Sequence, residues 1–373
     1  DNNGKISFKD KNSGRTAENL MEIEDSGDIG VAYRYAPCGE ARFFGSVPAR
    51  VTVTEKNRFR SMLEVEKVIS VPERYDFENR KRSDKNTEIT VKLKFTLNAG
   101  EKMLRADYTV ANTAEDHRLR LHIASDISAN SFFADIPFDI IERRDGEIEP
   151  DTVSNTHPDT SFAYIENGKE RFAVFTAGAH ECEKTNGNTL AFTLVRSTGV
   201  IDRSGGEQWK CPENQCKRTV SGSLGISFMN CGESCYKYAA MLKIPLIAHY
   251  MPCDQKKFTG GRTTVQGTNL LELFFRKDPY ADVLIDEKPV FALSNKKLVI
   301  SAFKQAESGN GYVLRIFNPE STAQKTAVRF DGALALTTAA EQTYEEFKSG
   351  GTEFELAPKE FKTIIMRKEE SKQ

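Results

Sequence analysis

The stretch Glu88-Ile89-Thr90-Val91-Lys92-Leu93-Lys94-Phe95-Thr96-Leu97 alternates without a break. Ile89, Val91, Leu93, Phe95 and Leu97 fall on one side, and Thr90, Lys92, Lys94 and Thr96 on the other. A period of two is that of a β-strand, whose successive side chains point to opposite faces. Clean apolar/polar alternation predicts an antiparallel strand with one face packed and one face wet. Outward from it, Asn98-Ala99-Gly100-Glu101 supplies turn residues. Leu104, Ala106, Tyr108 and Val110 then alternate with Arg105, Asp107 and Thr109. After a second turn at Asn112-Thr113-Ala114-Glu115-Asp116, Leu119, Leu121 and Ile123 repeat the pattern. Three such runs joined by short polar turns predict a meander. On the same alternation His122 lies on the polar side and is expected to face solvent.

The signature recurs along the chain. Runs at 4–8 and 20–23 flank an Asn12-Ser13-Gly14 turn, and 50–53, 61–71, 162–165, 172–177 and 189–195 read as strands. Helix signals are rare, with one short candidate at 235–241. The fold class is therefore all-β with large sheets. A strand at 270–275 precedes a stretch punctuated by Asp278-Pro279 and Lys288-Pro289. Beyond it, short strands at 298–303, 311–317, 327–330, 334–338, 352–356 and 363–366 are spaced by turn residues. That spacing suits a small, immunoglobulin-like β-sandwich. The expected organisation is a large domain over 1–280, a connection over 281–297 and the small sandwich over 298–373.

Composition removes several classes. In 373 residues, 52 Lys+Arg oppose 54 Asp+Glu, so no basic excess exists to neutralise a nucleic-acid backbone. No apolar run approaches the ~20 residues of a membrane helix. The first residue is Asp1 rather than Met, which suggests a piece of a longer chain. Seven cysteines, five of them between Cys211 and Cys253, are an odd number. Cys211-x4-Cys216 with Cys231-x3-Cys235 is loose for a zinc ribbon, and the spacing leaves metal, disulfide and free thiols open, with free thiols favoured. Thiols point to a reducing compartment, the cytoplasm.

Candidate chemistry is sparse. The five histidines include no i,i+4 pair, and the chain has no G-x-S-x-G elbow and no P-loop. His157-Pro158-Asp159 is an isolated triplet. Two stretches stand out. In Glu24-Asp25-Ser26-Gly27-Asp28-Ile29-Gly30, acids and glycines precede Tyr33 and Tyr35, which alternation places on one strand face. Tyrosines suit sugars, since the ring stacks on C–H faces and the hydroxyl bonds a hydroxyl, but they suit a core equally. In 190–203, Leu190, Phe192 and Leu194 share a face that ends, in phase, at Arg196. A guanidinium there needs a partner, either a structural carboxylate or a ligand.

At these stretches the chain resembles the C-terminal region of glycoside hydrolase family 38, the retaining α-mannosidases. DSGDIGVAYRYAP is similar to the family's acidic-Gly loop, and TLVRSTGVIDR to its "LLRxxGxLsR" strand. HPDTSFAYIENGKERFAVFTAGAH, ENQCKRTVSGSLGISF with Gln215 and Cys216, LVISAFKQAESGNGYVLRIFNP and EFELAPKEFKTIIM follow in the family's order, over roughly 5–366. The resemblance implies a galactose-mutarotase-like supersandwich followed by a small sandwich. It implies that zinc, its ligands and the nucleophile lie in an N-terminal catalytic barrel absent from this sequence, with no metal expected here. It implies substrate contacts from Tyr33 and Arg196 to a mannose-containing saccharide. Val31 departs from the Asp found there in many bacterial members. The expected partners are the chain's own catalytic domain and a saccharide, with neither nucleic acid nor membrane and with homo-oligomers possible. A free-standing carbohydrate-binding module is the alternative. A mutarotase-like epimerase using His157 or His180 as acid or base is a third reading.

Overall fold

The computed structural model describes residues 1–145, 156–202, 208–244, 290–343, 345–349 and 351–367. Two compact units divide the chain, Asp1–Ile244 and Pro245–Gln373. The first is built on a nine-stranded antiparallel sheet and a six-stranded one. The nine strands run, in spatial order, Asp139–Arg144, Ser131–Ile136, Phe162–Glu166, Glu170–Ala177, Thr219–Asn230, Met103–Ala111, Asn86–Asn98, Arg60–Pro72 and Arg50–Lys56. The six run His157–Pro158, Glu181–Thr185, Thr189–Ser197, His117–Ala124, Glu22–Asp28 and Pro37–Phe43.

Inward residues of both sheets form one core, in which Ile89, Val91, Leu93 and Phe95 join Leu119, Leu121, Ile123, Leu190 and Phe192. Each such side chain removed from water contributes roughly 1.5–3 kcal/mol. On the opposite side of Asn86–Asn98, Lys92 and Lys94 are exposed, as the alternation predicts. The helix Cys235–Lys243 covers part of the other face of the large sheet. Its Tyr238 stacks on Phe175 at 5.6 Å, in a satellite core with Met103 and Phe162.

Two expectations are overturned here. The meander stops at its second strand. Asn86–Asn98 pairs with Met103–Ala111, but His117–Ala124 leaves for the other sheet, and Thr219–Asn230 takes its place. Asn112 holds the crossing. Its buried amide nitrogen lies within hydrogen-bond distance of Ala114 O (3.3 Å), Ser197 Oγ (3.1 Å), Gln215 O (3.2 Å) and Cys216 O (3.2 Å). Its oxygen accepts from Ala114 N and faces His117 Nε2 at 2.9 Å. Both ends of the buried Asn112 amide are thereby satisfied.

The second correction concerns His122, which is 5% exposed rather than solvent-facing. The outer side of the six-stranded sheet buries its charges. Arg120 bridges Glu24 and Glu183, and His122 Nε2 bonds Glu24 Oε2, with Phe43 edge-on to the imidazole at 5.4 Å. Burial alone would raise the Glu24 pKa. The His122 hydrogen bond and the Arg120 charge outweigh it and hold that carboxyl down at about 2.

In the second unit a three-stranded sheet (Phe291–Leu293, Gln324–Phe330, Thr352–Leu356) joins a five-stranded one (Val299–Gln305, Tyr312–Phe317, Phe361–Arg367, Ala333–Thr337, Lys348–Ser349). Leu314, Ile316, Val328, Leu356, Ile364 and Met366 form its core. Phe291–Leu293 is a strand within the stretch expected to be a connection. The expected strand at 270–275 and Cys253 lie outside the described residues.

Candidate functional site

Residues 29–36 are a loop between the strands Glu22–Asp28 and Pro37–Phe43, so Tyr33 and Tyr35 do not share a strand face. Asp28 decides this. Its Oδ1 accepts Gly30 N at 2.9 Å and Ala36 N at 3.0 Å, closing the loop on itself as an aspartate two residues before a turn can. Val31 and Arg34 exchange both backbone hydrogen bonds, at 3.0 Å each, leaving residues 32–33 at the tip. Gly30 is required there, because a Cβ would lie 2.0 Å from Arg34 O. The two tyrosines part company. Tyr35 turns inward, its hydroxyl donating to Ser26 Oγ at 3.2 Å and its ring lying 3.5 Å under the Arg118 guanidinium. Tyr33 stands 77% exposed.

Arg196 reaches this loop from the strand Thr189–Ser197. Its Nε donates to Asp28 Oδ2 at 2.7 Å, its Nη1 to Ala32 O at 3.1 Å and its Nη2 to Val31 O at 2.6 Å. The guanidinium therefore clamps the turn that carries Tyr33. Position 31, where the family pattern differs, contributes a backbone carbonyl to the clamp while its valine side chain is buried.

Further segments converge on the same end of the unit. Asp28 N donates to Asp116 O at 2.9 Å, and Ala32 N to Val200 O at 3.2 Å. Gln215, singled out in the sequence by resemblance alone, donates from Nε2 to Asp116 Oδ1 at 2.6 Å and accepts Asp116 N at Oε1, 2.9 Å. Beneath them His117 and Asp25 pair at 2.8 Å, both fully buried, with Arg82 at 2.6 Å from the other carboxylate oxygen. Sequence reasoning missed Asp28, whose signal was the Asp-x-Gly spacing of an Asx turn. The sole tryptophan, Trp209, was not among its candidates. The strand Gln208–Lys210 pairs with Val200–Asp202, which places this 53%-exposed indole on the ribbon bonded to the Tyr33 loop.

The other candidates do not form a site. His157 is buried beside Phe132 and His180 is exposed. Asp159 is buried, accepts Thr176 Oγ1 at 2.7 Å, and is pushed up to about 7 by burial, with Asp135 adding to the rise. Cys38, Cys182, Cys211, Cys216, Cys231 and Cys235 are free thiols. Among the described residues no group of three or more His, Cys, Asp or Glu is placed to hold a metal ion. These residues therefore do not fit a zinc site. No described helix is long and apolar enough to cross a membrane.

Comparison with known proteins agrees with this architecture. A protein of Halalkalibacterium halodurans named "Putative mannosylglycerate hydrolase" is 25% identical over 97% of the chain and 40% of its own length. Two solved structures from Enterococcus faecalis have the same fold. One, titled an alpha-mannosidase, has 20% identity and a TM-score of 0.79 over 98% of this chain and 41% of its own. The other, titled a protein in the glycosyl hydrolase family 38, has 21% identity and a TM-score of 0.77 over 98% and 42%. The chain thus spans about two fifths of the length of these relatives. The profile of the glycosyl hydrolases family 38 C-terminal domain matches residues 1–202, and that of the family's C-terminal beta sandwich domain matches residues 297–364. The first match alone covers more than half of the sequence, and the chain belongs to glycosyl hydrolases family 38, whose C-terminal domains it carries.

Proposed function

We propose that this chain is the substrate-flanking β region of a retaining α-mannosidase, completed by a catalytic part outside the sequence. The observation that carries the reading is the clamp: one buried carboxylate and one guanidinium fix a turn whose tip is an exposed tyrosine. A core tyrosine needs no such support, whereas a pocket-lining one gains from being held in a single geometry before substrate arrives. Tyr33 contacts a sugar hydroxyl in this reading. Arg196 acts chiefly through the loop it holds, and Trp209 offers a second ring nearby. Zinc, in the completed enzyme, would lend Lewis-acid chemistry from the catalytic part. The name of the Halalkalibacterium relative favours one substrate variant, a mannoside whose aglycone carries a carboxylate.

Hydrolysis of p-nitrophenyl α-mannoside with added zinc, by this chain and by one extended through the catalytic part, tests the reading. Turnover is expected only from the longer chain, where Tyr33→Phe lowers kcat/KM by about 10-fold, the worth of one hydrogen bond of ~1.4 kcal/mol. Zinc-dependent turnover by this chain alone would overturn it. Mannosylglycerate as the better substrate would select the carboxylated variant.

A further inference from the structure

A second concave site lies at the opposite end of the first unit from Tyr33. It is a cleft of about 740 Å³ between the hairpin turn that joins the strands Ile6–Lys9 and Thr16–Leu20 and the turns at 57–60 and 98–101. The strand Met103–Ala111 runs from the cleft to the Asn112 crossover, nine residues. At ~3.3 Å each, the two ends are roughly 30 Å apart.

The lining has a definite sign. Six Lys and Arg side chains line the cleft against four carboxylates: Glu101 is paired with Arg105 at 2.6 Å, Glu233 lies 3.6 Å from Lys102, Glu170 lies 4.0 Å from Arg15, and Asp10 accepts Asn12 N and Ser13 Oγ. Lys9, Lys11 and Arg58 line the same cleft and have no acidic partner among the described residues. The residual field is positive, and a concave surface concentrates it. The rings are equally specific. Half-buried Phe8 stacks at 5.2 Å, with 11° between planes, on Phe228, which is itself buried with the Arg15 guanidinium 4.7 Å from its ring centre, so Phe8 is the ring this floor offers. Phe59 at the rim is 62% exposed, and the Arg58 guanidinium lies 4.4 Å from its ring centre. Asn12 adds a side-chain amide able to donate and accept at once, whereas Asn57 is engaged with Glu55 and the Phe59 and Arg60 amides, and the Asn98 amide nitrogen with Glu101.

We infer that this cleft binds a saccharide carrying an anionic group, a carboxylate or a phosphate. Phe8 and Phe59 meet the C–H faces of the sugar, the Asn12 amide a hydroxyl, and Lys9, Lys11 and Arg58 its charge. The site is independent of the Tyr33 loop and would hold part of a larger glycan while another part is processed elsewhere.

Isothermal titration calorimetry of this chain with mannose 6-phosphate, glucuronic acid, α-1,2-mannobiose and AMP tests it. At least one acidic sugar is expected to bind about 10-fold tighter than mannobiose and to weaken as salt rises from 50 to 500 mM. Lys9→Glu with Lys11→Glu should lower that affinity by about 10-fold and Phe59→Ala by ~5-fold, in variants whose melting is unchanged. Tyr33→Ala should leave it intact. No binding at 20 mM would overturn the proposal. So would AMP binding tighter than either acidic sugar, affinity indifferent to the Lys and Phe59 variants, or loss of binding in Tyr33→Ala. The last outcome would move the ligand to the loop without touching the proposed role of that loop.

Discussion

The two sheets of the first unit obey the same alternation and treat its polar half in opposite ways. On the outer side of the nine-stranded sheet, Glu66 meets Lys92 at 2.8 Å and Arg50 at 3.0 Å, and both basic side chains are largely open to water. On the outer side of the six-stranded sheet, Glu24, Arg120 and His122 form an ion network no more than 7% exposed. Identical periodicity, read one strand at a time, does not tell a solvated face from a covered one. The difference is energetic. Water screens the first set of charges, while the second has surrendered its hydration and survives on mutual contacts.

The largest expected effect breaks the covered network. Arg120→Met strands Glu24 and Glu183, and should lower stability in urea by about 3–5 kcal/mol. Acid sharpens the contrast next. The Glu24 carboxyl lies at about 2 in the folded chain against 4.5 as its ordinary value. A lowered folded pKa stabilises above the unfolded pKa, so roughly 3 kcal/mol should disappear as pH falls from 4.5 toward 2, a window in which stability is followed by urea midpoint. Arg196→Ala leaves the buried Asp28 carboxylate without its counter-charge and should cost about 2–3 kcal/mol, with faster proteolysis at 29–36. Asp159 has the reverse sign. Its folded pKa, about 7, lies above the ordinary 3.8. It therefore costs nothing below pH 3.8 and destabilises progressively as pH rises from 3.8 to about 7, above which the loss is complete. Asp159→Asn should gain a few kcal/mol (~4 at most) at pH 8 and nothing at pH 3.5. The smallest effect is Glu66→Ala, which should leave the urea midpoint where it is. A large loss there would erase the distinction between the two faces.

How much was legible follows the same division. The strand at 88–97 was readable because burial of Ile89, Val91, Leu93 and Phe95 is written in their own spacing. So were the turn at 98–101, the helix at 235–241 and the short strands beyond 298. Of the candidate site, the sequence marked the loop and Arg196, through residue chemistry and family resemblance. It did not show that Tyr35 packs inward while Tyr33 stands out. That split depends on Asp28 closing the loop and on Arg118 covering one ring. The third strand of the expected meander failed for a related reason. Leu119, Leu121 and Ile123 face the shared core whichever sheet they join, and the choice was made by Asn112 at the crossing.

By itself the sequence determined the local quantities: where strands run, which of their residues are apolar, where the chain turns. Those rest on interactions among neighbours, for which spacing is a sufficient record. Tertiary structure alone decided which sheet a strand joins, whether a polar face is covered, and which of two tyrosines is displayed. These depend on pairs such as His117–Asp25, 92 residues apart, and Arg196–Asp28, 168 apart. Such pairs become stabilising only once folding brings the partners together and removes the water between them, so spacing along the chain carries no trace of them.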